Sequence, residues 1–345
     1  MKSHIFYLIL ATALILGIYF ISTSADKPLA HEKFKATQVL GTHFPLTLID
    51  PVGQPYILTS PPKRIVSTTL AGDEMLQQLN EVASVISVTY LVDNNTMSNV
   101  TGYYPKSIYR NHAGIEEILP LTPDLVISAP YTKATTVRLL LANHIPVFRF
   151  APVNSFHNID ANLRHLAQVL GKTKRADQQI RKMWQQIRYI RCLTRRYPKP
   201  RVLFFPLPGF TAAKNTLADD MIRYAGGQNV ADETTLSGNI SITDEYAASL
   251  NPDILVLTNW FAKNSQKALE KLRKNPLWKT VPAVLNHRIY IVRAKTVSTV
   301  TPLAILAIKK LALAFHPALY NPKNVAICTP STEISRLSDQ TEPTS

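Results

Sequence analysis

With 345 residues, 46% hydrophobic and 18% charged, the chain is long enough for two cores and too apolar for a disordered or fibrous protein. Its 38 Lys and Arg against 23 Asp and Glu give a formal charge of +15, which favours an anionic ligand or an anionic surface nearby. Only 11 glycines are present, so phosphate-cradling loops are scarce, and no P-loop, G-x-G-x-x-G, G-x-S-x-G or H-E-x-x-H pattern occurs.

Lys2 precedes an apolar stretch over 5–21, followed by Ser22-Thr23-Ser24-Ala25. This reads as a secretory signal, residues 1–25, cut after Ala25. The other reading is an uncleaved anchor, since about 17 apolar residues reach the lower edge of a membrane span. Either way the rest of the chain is exported. No cysteine follows the stretch, so lipoprotein attachment is excluded and a bacterial periplasm fits best.

Next, 44–49 and 56–58 flank Asp50-Pro51-Val52-Gly53, whose residues suit a tight reversal, so the fold opens on a hairpin. Strands at 64–68 and 85–90 enclose a helix at 74–79. A helix-turn-strand unit ending at Ser128, a helix at 135–142, a strand at 147–150 and a helix at 157–170 complete a first lobe, residues 26–172. Strand alternating with helix predicts a parallel sheet covered on both faces. A long helix over 174–196, about 35 Å at 1.5 Å per residue, can run from one lobe to another. Between Lys172 and Arg201 stand eleven Lys or Arg and one acid, Asp177, while Ala176, Ile180, Met183, Trp184, Ile187 and Ile190 recur at helical spacing. In an exported chain with no nucleic-acid motif, this reads as the solvated face of a packed helix, and no nucleic-acid partner is expected. Residues 173–197 thus form a bridging segment.

After Pro198 and Pro200 the scheme recurs over 198–320. It has a strand at 201–205, a helix at 217–224 with Thr216 and Asp219 placed as a capping box, and a second helix-turn-strand unit. A helix at 268–273, a strand at 288–292 and a helix at 302–315 follow. The tail, 321–345, is polar and predicted to be disordered. Cys192 and Cys328, the only cysteines, either pair in an oxidising compartment or remain separate thiols.

The two helix-turn-strand units are alike. Glu116-Glu117-Ile118-Leu119-Pro120-Leu121-Thr122-Pro123-Asp124-Leu125-Val126-Ile127 matches Glu245-Tyr246-Ala247-Ala248-Ser249-Leu250-Asn251-Pro252-Asp253-Ile254-Leu255-Val256. In each, a glutamate stands seven residues before the proline of a Pro-Asp turn that leads into a buried strand. Two similar lobes with equivalent carboxylates can meet a two-fold partner. By spacing alone, each glutamate serves equally well as a helix-start residue, where negative charge is favourable.

These units, with Pro62-Lys63-Arg64-Ile65-Val66-Ser67, Leu217-Ala218-Asp219-Asp220-Met221-Ile222, Ala225-Gly226-Gly227-Gln228-Asn229-Val230, Asn275-Pro276-Leu277-Trp278, Val281-Pro282-Ala283-Val284 and Arg288-Ile289-Tyr290, resemble the periplasmic binding proteins of ABC importers for cobalamin, ferric siderophores and haem. The resemblance covers about residues 44–315. It implies an α/β fold of two Rossmann-like lobes with mainly parallel sheets, joined by a single long bridging helix, with little hinge motion. It implies a monomer that binds a small-molecule metal chelate between the lobes and has no catalytic residue or resident cofactor. It further implies that a glutamate on each lobe docks onto arginines of the permease dimer in the inner membrane. The matching positions are Glu116 and Glu245, with Glu117 and Asp244 as neighbours able to compete.

In open α/β lobes, ligands bind beyond the carboxyl ends of the strands. That rule selects Thr69, Leu70, Tyr90 and Tyr131 in the first lobe, and Phe210, Trp260 and Arg293 in the second. Aromatic faces suit a flat corrin, porphyrin or catecholate, and Arg293 an anionic group. A loop carrying Tyr103, Tyr104, Tyr109, Arg110 and His112 either brings a Tyr or His to a haem iron or is packed surface. The histidines show no paired spacing, so a bare-metal site is not expected. An exported α/β enzyme acting on a small molecule is the alternative function.

Overall fold

The computed structural model describes residues 34–205, 209–235, 237–258, 265–320 and 328. The expected signal and the polar tail beyond Cys328 lie outside the described residues.

An antiparallel meander opens the fold, formed by β1 (Gln38–Leu40), β2 (Leu46–Ile49) and β3 (Pro55–Leu58). The first main sheet contains β4 (Ile65–Ser67), β5 (Val85–Thr89), β6 (Tyr109–Asn111), β7 (Leu125–Ser128) and β8 (Val147–Arg149). Their order is β6-β5-β4-β7-β8, and every pairing is parallel. The chain thus winds outward from β4 in one direction and then in the other. Around it stand α1 (Leu70–Gln78), α2 (Ile115–Ile118), α3 (Ala134–Ala142) and α4 (Phe156–Val169). Alternate strand residues go to opposite cores: Leu125, Ile127 and Phe148 pack with Leu163 and Leu166, whereas Val66, Val126 and Val147 pack with Ile118 and Leu140. A sheet buried on both faces explains why its strands read as continuous apolar runs.

The second lobe repeats this plan with β9 (Arg201–Phe204), β11 (Gln228–Asn229), β13 (Ile254–Thr258) and β14 (Ile289–Val292), all parallel in the order β11-β9-β13-β14. Val202, Phe204, Ile254 and Val256 face one core, and Leu203, Leu255 and Leu257 the other. Its helices include α6 (Leu217–Tyr224), α7 (Asp244–Ser249), α8 (Ser265–Lys274), α9 (Pro282–Leu285), α10 (Ala294–Val297) and α11 (Ile305–Phe315). A small antiparallel ribbon, β10 (Phe210–Ala212) with β12 (Asn239–Ser241), is added. Half of the expected capping box forms: the Thr216 side chain accepts from the Asp219 N–H, while the Asp219 carboxylate turns to Arg223.

The long helix is α5 (Thr173–Thr194), 22 residues and about 33 Å. It joins the lobes by sharing both cores. Ala176 and Ile180 lie in the first, Met183, Ile187, Ile190 and Leu193 in the second, and Trp184 packs against each. Its Arg and Lys residues take the outer positions; Lys174, Arg175, Arg181, Lys182, Arg188 and Arg191 are exposed. Cys192 near its end is disulfide-bonded to Cys328, which resolves the open question of pairing.

Three elements differ from the sequence expectation. Helix α1 starts at Leu70, four residues before the expected 74, because Thr69 supplies an extended residue at the cap. Gly72 lets it lie close to the sheet, since a Cβ there would stand 2.5 Å from the Ser67 Oγ. The expected loop around Tyr109 contains β6, the fifth strand of its sheet. Phe210 begins the added ribbon instead of a loop after β9.

Candidate ligand cleft and docking residues

In both sheets the winding reverses beside the first strand, β4 or β9, and the carboxyl ends at that point are where open α/β sheets bind ligands. Across the first sheet, the residues just past the strands come in the order His112, Tyr90, Thr69 and Tyr131. At a strand spacing of about 4.8 Å, this row spans roughly 15 Å. Tyr131 is 82% exposed and Tyr90 48%. An exposed aromatic row at a strand edge is apolar area without a partner.

Each aromatic is held from behind. The Tyr131 hydroxyl lies 3.3 Å from the Thr69 Oγ1, and Thr69 itself is buried, so Thr69 supports Tyr131. Arg149 donates to the Pro130 carbonyl, fixing the turn on which Tyr131 stands. Tyr90 stacks on His112, with ring centroids 4.5 Å apart. His112 in turn is anchored by Glu117, which accepts from its N–H at 2.6 Å and lies 3.1 Å from its Nδ1. Leu70 is the first residue of α1 and half-buried. Of the aromatic and basic loop, Tyr104 is buried with its hydroxyl donating to the Asp73 carbonyl at 2.5 Å, and Arg110 pairs with Asp93 at 2.9 Å. These two belong to packed structure.

In the second lobe, Phe210 is 50% exposed and Arg293 is exposed directly after β14. Trp260 lies outside the described residues. Burial and then the charges of Arg293 and Lys295 lower the pKa of Lys310, which marks a positive corner at this strand end. Among the described residues no group of three His, Cys, Asp or Glu can hold a metal ion.

The lobes touch close to these ends. Lys295, two residues after Arg293, donates from its Nζ to the Ser98 carbonyl at 3.3 Å, and its own carbonyl accepts from the Asn99 side chain at 2.8 Å. The segments that follow β5 and β14 therefore meet.

The two repeat units share a network that the sequence did not reveal. Asp124 accepts from the N–H groups of Lys63 and Arg64 at 2.7 and 2.8 Å, and Arg64 reaches back to the carbonyls of Leu121 and Thr122. Asp253 accepts from the Arg201 N–H at 2.8 Å, and Arg201 reaches back to the Leu250 carbonyl. Each Pro-Asp turn thus ties its helix to the first strand of its sheet. Thr122 and Asn251, the residues before the prolines, both adopt left-handed backbone, at φ 44° and 50°. Glu116 and Glu245 occupy the second position of α2 and α7, and both are exposed. Glu117 is engaged by His112, whereas neither Glu116 nor Glu245 makes an ion pair with another described residue.

Residues 65–296, about two thirds of the chain, match the family described as periplasmic binding protein. The chain belongs to that family. It is 27% identical over 289 residues to an uncharacterised ABC transporter substrate-binding lipoprotein of Bacillus subtilis, covering 79% of this chain and 86% of that one. A cobalamin-binding protein of Halobacterium salinarum is 24% identical over 280 residues, covering 79% and 74%. Among solved structures, the apo form of a periplasmic heme-binding protein from a Roseiflexus species superposes with a TM-score of 0.64 at 27% identity, covering 75% of this chain and 99% of that one. The two-lobed fold is thus that of periplasmic binding proteins, and the function is binding for transport, not the enzymatic alternative.

Proposed function

We propose that this periplasmic binding protein captures a metal chelate, namely haem, a ferric siderophore or cobalamin, between its lobes and delivers it as a monomer to an ABC importer permease dimer in the inner membrane. The observation that carries the ligand class is the row of exposed aromatics at the first-lobe strand ends, Tyr90 and Tyr131, together with the positive corner at Arg293 in the second lobe. A flat, partly anionic molecule meets both surfaces, the ring by stacking and the acid groups by charge. The names of the cobalamin-binding and heme-binding relatives point to the same chemical class. Without three convergent protein ligands among the described residues, a metal would arrive already chelated.

Delivery would use Glu116 and Glu245. A carboxylate facing an arginine accepts two parallel charge-assisted hydrogen bonds, so one free glutamate per lobe fixes orientation as well as proximity on a two-fold partner. The same reading places the protein in the periplasm. Titration of the purified protein with haemin, cyanocobalamin and a ferric siderophore, followed by tryptophan fluorescence and visible absorption, tests the ligand class. Saturable binding of one of them is the expected result; no change with any of them would overturn it.

A further inference from the structure

We propose that Glu74 is a positioning residue that sets the distance between the two binding edges, a role that rests on the ligand site proposed above. Glu74 lies in α1, five residues after Thr69, and is 2% exposed. Its Oε2 accepts from the Thr301 Oγ1 at 2.8 Å and from the Thr299 Oγ1, across more than 220 residues of sequence. Its Oε1 accepts from the Asn99 side chain at 2.9 Å, and the same amide nitrogen donates to the Lys295 carbonyl. One buried carboxylate therefore gathers three donors, two of them from the opposite lobe. Thr299 and Thr301 are themselves buried, with their hydroxyl oxygens 2.8 Å apart.

The location gives this bolt its function. On one side it is within two helical turns of Thr69 and Leu70; on the other it grips 295–301, the segment that starts two residues after Arg293. Both predicted binding edges thus run directly into the same cluster. A desolvated hydrogen-bond cluster is far stiffer than a solvated loop contact, and unpairing it leaves buried polar groups unsatisfied. Glu74 would hold the gap at one width before any ligand arrives, so that binding costs less reorganisation.

Nitroxide labels on Lys133→Cys and Lys279→Cys, exposed positions in the two lobes, read the interlobe distance by pulsed electron resonance without any ligand. A single narrow distribution is expected for the unsubstituted bolt and for Glu74→Gln, whose amide can satisfy the hydroxyls after they rotate. Broadening is expected for Glu74→Ala and for the nearly isosteric Thr299→Val/Thr301→Val pair, which keeps the test open if Glu74→Ala does not fold. With haemin and cyanocobalamin as probes, dissociation of whichever binds should quicken about tenfold in the broadened variants, as losing one or two net hydrogen bonds implies, with association little changed. Distributions as narrow in the threonine pair as in the parent would overturn the proposal, even if the melting temperature falls. Failure of both probes to bind the parent would count against the ligand class, and the distance readout would still decide the role of Glu74.

Discussion

Asp73 should make the protein less stable as pH rises through neutrality, and Asp73→Asn should remove that dependence. Its carboxyl is fully buried beneath the first sheet, where Oδ2 accepts from the Thr89 Oγ1 at 2.7 Å and the Thr89 N–H at 3.3 Å. Burial, reinforced by the neighbouring Glu74 charge and opposed by the hydrogen bonds, pushes its pKa from 3.8 up to about 8. The folded protein therefore keeps a proton that the unfolded chain releases near pH 4. For a raised pKa the stabilisation is complete below the unfolded value and is lost as pH climbs to the folded one, at most about 1.4 kcal/mol per pH unit. Between pH 5 and pH 8 that amounts to at most roughly 4 kcal/mol, a large share of an ordinary folding margin. Urea unfolding at half-unit steps from pH 5 to 8.5 measures it. Glu74, whose pKa burial also raises, contributes a slope of the same sign, so the difference between parent and Asp73→Asn isolates Asp73. Parallel stability curves for the two proteins would refute the reasoning.

Four further outcomes are expected. Glu116→Lys combined with Glu245→Lys should abolish delivery, read as ligand-stimulated ATPase activity of the reconstituted importer, while probe affinity stays within about twofold, because both carboxylates are exposed and, unlike Glu117, neither holds His112 of the strand-end row. Tyr131→Ala should weaken probe binding about tenfold in a fluorescence titration, the typical loss of one stacked aromatic, with the unfolding midpoint unchanged. Replacing Cys192 and Cys328 by Ser opens a cross-link of 136 residues and should cost up to about 5 kcal/mol in denaturant unfolding on the chain-entropy account. Gly226→Ala should destabilise by about 2 kcal/mol or more, since its φ is +85° and a Cβ would stand 2.5 Å from the Thr194 Cβ; calorimetry reads this directly.

The plan of the lobes was legible because parallel strands buried on both faces carry their own signature, short runs such as Leu125-Val126-Ile127 bounded by turn residues. Helix 217–224 was placed to the residue because Thr216 marks its start and Gly226-Gly227 its end. Strand β6, Tyr-Arg-Asn, escaped notice since an edge strand held by parallel pairing to β5 needs no apolar run. The exposed strand-end positions of Tyr90 and Tyr131 followed from one topological rule. Their supports did not: Arg149 acts through a carbonyl 19 residues away, and Glu74 through hydroxyls of the other lobe. The one available signal was two adjacent acids, Asp73-Glu74, inside a helix that otherwise reads as buried.

The duplicated unit repeats the same chemistry in each lobe. In the docking proposed above, a two-fold partner demands that each lobe present its carboxylate in the same way, and the two units do share their chemistry: Arg64 with Asp124, Arg201 with Asp253, and a left-handed residue before each proline. These bonds fix the C-terminal end of each helix against its own sheet. The spacing of the two helices is set where the lobes meet, through the shared helix α5, the Lys295–Ser98 contact and the contacts of Glu74, so loosening Glu74 should impair delivery as well as retention.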